Sequence, residues 1–252
     1  MINALCKFGQ KLNGVQCGPV VLQKYIESFE KRFIFSNVNV NGLSDYTKLM
    51  NIHKTLQNPI TIGGDHSIAM STIGSSLQKY KNLKVVWVDA HSDINTPESS
   101  LTNNIHGMPL SVLMGNSNLI DIPVKLKKEN LTYIGIRDLD AYEKNFIENE
   151  NISLFTSSYV QKYGIHHVVE QMNITENDTI HLSIDVDVID PSIFKATGTP
   201  VQCGISPEHI NLLIQYLKPN IVSSDIVEYN PLISDLDSEK AILYKFIREL
   251  TK

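Results

Sequence analysis

The stretch LKVVWVDAHSD, residues 83–93, decides the fold. Val85 to Val88 form a short, continuous apolar run, the pattern of a strand covered on both faces, and such strands belong to parallel sheets. The run ends in Asp89, His91 and Asp93. In an extended backbone alternate side chains point one way, so this spacing predicts all three on the same side. Polar groups bunched at the end of a buried strand need a partner.

The pattern occurs twice more. In PITIGGDHS (59–67) His66 follows an apolar run and a Gly-Gly turn, close to the start of a helix. In TIHLSIDVDVI (179–189) Asp185 and Asp187 alternate at the end of another run. Three strand ends can therefore converge on one site. Taken singly, each motif has a plainer reading: GGDHS as a turn with a capping Asp, DVDVID as a sheet-edge calcium site or turn carboxylates. Taken together and in order, they point to metal. Four uncompensated aspartates are very costly to bury, and two divalent cations would remove that cost and acidify a shared water into a hydrolytic nucleophile. Oxygen-dominated donors with a minority of imidazoles suit Mn²⁺ or Fe²⁺ better than structural zinc.

Further apolar runs, at 32–40, 131–138, 152–156 and 221–230, alternate with amphipathic stretches at 18–31, 45–57, 67–80, 160–173, 206–218 and a terminal helix within 234–252. Ser206-Pro207 reads as a helix start, serine capping and proline in the first turn. Strand–helix alternation predicts an α/β fold with a mostly parallel central sheet flanked by helices. No linker, repeat or composition break divides residues 1–252, so the chain reads as a single domain. The irregular stretch 93–109, DINTPESSLTNNIHGMP, follows Asp89 and His91 directly, and loops at the carboxyl ends of parallel strands carry active sites.

The 252 residues are 42% hydrophobic and 19% charged, ordinary for a globular chain, and the net charge of −5 argues against nucleic acid as partner. Three scattered cysteines suggest a reducing compartment. No leader-like segment or membrane-length apolar run is evident, so the expectation is a cytoplasmic protein with no membrane partner.

The motifs GGDHS, DAHSD, SIDVDVIDPS and ATGTP, in that order, resemble the ureohydrolase superfamily of arginase, agmatinase and formimidoylglutamase. DINTP, NIHG, RDLD, DIVEYNP and the early GQKLNGVQCGP are most similar to arginases. The resemblance implies a three-layer arginase-like fold and two Mn²⁺ ions, with His66, Asp89, Asp93 and Asp185 on one and His91, Asp89, Asp185 and Asp187 on the other. It implies His106 as proton shuttle, Asp93 as a ligand that also passes a proton, and Glu228 as the carboxylate gripping the substrate guanidinium. It implies Thr199 beside the guanidinium pocket, and Asn95, Thr102 and Asp140 around the α-carboxylate and α-ammonium of arginine.

The implied reaction is hydrolysis of L-arginine to urea and L-ornithine by attack of a metal-bridging hydroxide. The alternatives are agmatine or another guanidino acid as substrate, or a metal-bound scaffold without turnover. A homo-oligomer, trimer or hexamer, is also implied. Three departures stand out: little chain precedes GQKLNG, Lys195 replaces the usual proline, and Thr102-Asn103 replace Ser-Gly. Asparagine in place of glycine strains the loop if a positive φ is required there. His53, His166, His167, His181 and His209 read as surface or core histidines.

Overall fold

A computed structural model describes residues 1–252. In chain order its elements are β1 (Ile2–Cys6), α1 (Gly18–Glu27), β2 (Ser36–Val40), α2 (Leu43–Thr55), β3 (Ile60–Gly63), α3 (Ala69–Lys79), β4 (Lys84–Val88) and α4 (Pro109–Met114). There follow β5 (Leu131–Ile134), α5 (Ala141–Asn149), β6 (Ser153–Phe155), α6 (Ser157–Gln171), β7 (Ile180–Asp185), α7 (Pro207–Leu217), β8 (Ile221–Val227) and α8 (Asp237–Thr251). The eight strands form one sheet in the order β2-β1-β3-β8-β7-β4-β5-β6. Every pairing is parallel.

Parallel strands need helical crossovers, and these cover both faces. One core, between the sheet and α2–α5, contains Leu49, Ile73, Trp87, Leu110 and Ile147. The other, against α1, α6, α7 and α8, contains Leu22, Val160, Leu213 and Phe246. The chain is thus three layers, as expected. No helix is long and apolar enough to cross a membrane.

The strand order positions the site. The chain runs from β3 directly to β4, and β8 and β7 later fill the gap between them. The carboxyl ends of these four central strands meet there, where loops diverge and leave a crevice.

Several local expectations are corrected. The run at 32–40 yields a strand only over Ser36–Val40, and an unanticipated strand, Ile2–Cys6, lies inside it in the sheet. Two short helices were also unanticipated. Pro109–Met114 starts with proline and stops at Gly115 in the left-handed region (φ 86°). Ala141–Asn149 opens on a capping box between Asp140 and Glu143. The helix at 157–171 is broken at Gly164, whose φ of 78° no helical residue adopts.

Candidate metal centre

The six predicted ligands converge, but not because they alternate along strands. β4 ends at Val88, and Asp89 to Asp93 leave it in an irregular turn in which Asp93 takes a positive φ of 49°. Asp185 ends β7, while Asp187 sits in the 3-10 turn Val186–Val188, its N–H donating to Asp185 at 2.9 Å. His66 opens the 3-10 turn His66–Ile68 that leads into α3, with Asp65 accepting from Ser67 N–H as cap. Strand ends deliver the residues, and turns aim them.

Apart from His91, a quarter of whose side chain is exposed, the resulting cluster is almost dry. His66 and Asp89 are fully buried, and Asp187, Asp185 and Asp93 nearly so. His66 Nδ1 lies 3.0 Å from Asp89 Oδ2, 3.2 Å from Asp185 Oδ2 and 3.3 Å from Asp93 Oδ2. His91 Nδ1 lies 3.1 Å from Asp187 Oδ2 and 3.6 Å from Asp89 Oδ1. Two overlapping groups of donor atoms result, His66–Asp89–Asp93 and Asp89–His91–Asp187, with Asp89 shared.

The donor set fits divalent cations. His66 Nε2 is 2.9 Å from Ser183 Oγ, so a proton there leaves Nδ1 as a lone pair, and Nδ1 has no hydrogen-bond partner. A lone pair facing three carboxylate oxygens is repulsive without a positive charge between them. Without a cation the protonation states must compensate. Burial opposes charge on His66, yet Asp185, Asp89 and Asp93 hold its pKa well above the ordinary imidazole value. Burial, with the charges of Asp187 and Asp89, pushes Asp185 well up. Burial and Asp89 push Asp93 up to about 6. Metal binding replaces these protons, so affinity rises with pH.

Supporting groups hold the ligands in place. The Trp87 ring stacks on His66 at 3.9 Å, and its Nε1–H donates to Asp89 Oδ2 at 3.0 Å. The Thr199 hydroxyl donates to Asp187 Oδ2 at 3.0 Å. Arg137 clamps the loops by donating to the carbonyls of Asp187 and Val201 at 2.7 and 2.8 Å. Trp87→Phe keeps an aromatic face against His66 but removes the N–H and part of the ring. Loss of such an outer hydrogen bond is expected to weaken metal affinity by about 10-fold or more, read by titrating metal-stripped protein with Mn²⁺.

A cleft of about 270 Å³ opens over the cluster, lined by His91, Asp93, Asp185 and Asp187 on the floor. Asn95, Thr102, Asp140, His106 and Thr199 also line it, with Ser100, Asn104, Asp138 and Glu143, which sequence reasoning did not single out. Asn95 donates to Asp140 Oδ2 at 2.8 Å, and Asp140 Oδ1 caps α5 by accepting from Glu143 N–H at 2.9 Å. Thr102 is exposed and accepts from Asn104 N–H at 3.2 Å. Asn103 does take a positive φ, 57°, a region asparagine tolerates better than most residues.

Glu228 sits just past β8, against His106. It is 2% exposed and lies behind His106 rather than on the cleft wall. Its Oε1 accepts from His106 Nδ1 at 2.9 Å and from His66 N–H at 2.9 Å, and its Oε2 from Gln10 at 2.7 Å. A positive φ of 66° at Glu228, just past β8, turns the carboxylate into this pocket. Burial opposes charge on His106, but the bond and charge of Glu228 raise its pKa to about 9. Burial likewise opposes charge on Glu228, and the bond from His106 holds its pKa below the ordinary value. Gln10 and Trp87 lie inside the quoted stretches GQKLNGVQCGP and LKVVWVDAHSD, but neither was singled out as a site residue.

The Arginase family profile matches residues 8–251 of the chain. The arginase of Staphylococcus aureus strain COL is 36% identical, covering 92% of this chain and 90% of its own length. The arginase of Plasmodium falciparum is 36% identical over 84% of this chain and 56% of its own. The crystal structure of Entamoeba histolytica arginase in complex with L-ornithine shares 33% identity, with a TM-score of 0.89 covering 99% of this chain and 97% of that one. On these grounds the chain belongs to the arginase family.

Proposed function

We propose that this amidinohydrolase cleaves L-arginine to urea and L-ornithine at a centre of two Mn²⁺ ions. The observation that carries the reading is His66 Nδ1 facing three buried carboxylates beneath an acidic cleft. When bound, the two cations supply Lewis acidity and lower the pKa of the attacking water. His66, Asp89, Asp93 and Asp185 would hold one ion, and His91, Asp89, Asp185 and Asp187 the other.

The remaining chemistry falls to side chains at the cleft. A guanidinium carbon is a poor electrophile, so the substrate must be held close to its nucleophile. The acidic lining favours a cation at both ends of arginine. Asn95, Thr102 and Asp140 are assigned to its α-carboxylate and α-ammonium. The amide of Asn95 is oriented by Asp140, and the hydroxyl hydrogen of Thr102 is free to donate. His106 carries the proton for the leaving amine. Glu228 binds Nδ1, so Nε2 is the atom left to exchange it. Asp93, whose pKa burial raises, is assigned the proton from the attacking water. Thr199 steadies Asp187. Glu228 keeps His106 charged through the Nδ1 contact.

The test is urea release from L-arginine, agmatine and other guanidino acids by metal-stripped and Mn²⁺-reloaded protein. The expected outcome is Mn²⁺-dependent turnover of L-arginine with agmatine far slower. Preference for agmatine would move the protein to a sibling specificity, and no turnover with full metal occupancy would leave a scaffold. The same reading makes the protein a cytoplasmic trimer or hexamer, and light scattering measures the subunit number.

A further inference from the structure

Beneath α3, outside the cleft, lies a second buried group of polar side chains. His181 on β7 and Asp225 on β8 are both 0% exposed. His181 Nε2 is 2.8 Å from Asp225 Oδ2, and its Nδ1 is 2.6 Å from Ser223 Oγ. From α3, Thr72 donates to the same Asp225 oxygen at 2.6 Å, and Ser76 Oγ lies 2.8 Å from Ser223 Oγ. Two strands and one helix are thus joined by side-chain hydrogen bonds inside the core, with the buried His53 ring 6.4 Å from that of His181.

Stability alone does not explain the arrangement. Asp225 Oδ1 is buried without a hydrogen-bond partner, which is unfavourable. Well-packed apolar residues in place of a buried polar pair are often neutral or stabilising. What the pair does supply is register. His181, Ser183 and Asp185 share one face of β7 by alternation, and Asp225 is the cross-strand partner of Ser183. Ser183 in turn meets His66 Nε2 at 2.9 Å. His66 opens the turn that becomes α3, the helix carrying Thr72 and Ser76. One end of this unit therefore aims His66, and the other is fastened by His181 and Asp225.

We propose that His181 and Asp225 are positioning residues for the metal centre: they lock α3 onto β7 and β8 so that His66 Nδ1 points at Asp89, Asp93 and Asp185. The inference rests on the metal reading above, and its test separates the two. Metal-stripped parent, Asp225→Asn and the double variant His181→Leu/Asp225→Leu are titrated with Mn²⁺, with bound metal counted by elemental analysis. Thermal unfolding of each is followed in chelator.

The double variant is expected to unfold in chelator within a few degrees of the parent. One Mn²⁺ should bind about 10- to 100-fold more weakly, the usual range for a lost outer-shell partner, while the other stays within about twofold. A merely structural role would weaken both ions together or lower the unfolding temperature without selectivity. Asp225→Asn keeps the shape and is expected to shift the same ion in the same direction, so it carries the test if the double variant does not fold. Both affinities within about twofold of the parent in a folded variant would overturn the proposal. A parent that takes up no Mn²⁺ would overturn the metal reading beneath it.

Discussion

Asp185→Asn is expected to stabilise the metal-stripped protein at neutral pH while destroying its ability to work. The two effects have opposite signs for one reason. Burial and the charges of Asp187 and Asp89 raise the Asp185 pKa well above that of a free carboxylate. A group whose folded pKa is raised contributes stability that is fully present below its unfolded pKa and is lost as pH rises through the folded value. At neutral pH the metal-free protein therefore bears the cost of burying this carboxyl among like charges, and asparagine removes it. For a domain of this size each kcal/mol recovered raises Tm by about 2–4 °C. With cations present the balance inverts, because the same charge is what binds them. Removing it should lower metal affinity and cut turnover on the order of 10³-fold or more. Unfolding scans with chelator and with Mn²⁺, beside urea assays, measure both signs. A variant that is less stable in chelator, or fully active with metal, contradicts the assignment of Asp185.

The candidate ligands were legible because a parallel sheet leaves a strong signature: apolar runs that stop abruptly at acidic and imidazole groups. The order of those runs also gave the layered fold. The stated geometry was not legible. Alternation along a strand predicted the common direction of Asp89, His91 and Asp93, yet the strand ends one residue before Asp89. A turn with Asp93 at φ 49° does the aiming. Such a turn is selected by tertiary partners, including Asp187, whose Oδ1 accepts from Ala90 N–H at 3.2 Å. Local sequence carries no record of a partner 97 residues away.

Short elements were lost for a similar reason. Ile2–Cys6 contains Asn3 among apolar residues and lies next to the chain start, so no window of useful length reveals it. Only pairing on both sides, with β2 and β3, makes it a strand. The same limit hid the supporting residues. Ser183 and Trp87 look like ordinary strand positions until His66 is packed against them. The resemblance supplied the identity of Glu228 as a site residue, but its place behind His106 depends on a positive φ and on three donors from distant segments.

That placement leads to the second large effect. Glu228→Gln should leave the cleft wall intact and move the alkaline limb of the pH–rate profile to lower pH. The sign follows from the pair. Glu228 raises His106 to about 9 against the opposing effect of burial, so His106 is still a proton donor at pH 8. Glutamine removes the charge and leaves burial, which lowers an imidazole pKa, so the donor form is depleted at a pH where the parent retains it. If His106 protonates the leaving amine, the rate at pH 8–9 should fall by about 10²-fold, within the range for loss of a general acid. The deficit should shrink toward pH 6, where both proteins hold the proton. KM for L-arginine should change much less than kcat, because the carboxylate touches His106, His66 and Gln10 rather than the cleft. The opposite split, a large rise in KM with an unshifted pH profile, would return Glu228 to the guanidinium-gripping role that the resemblance implied.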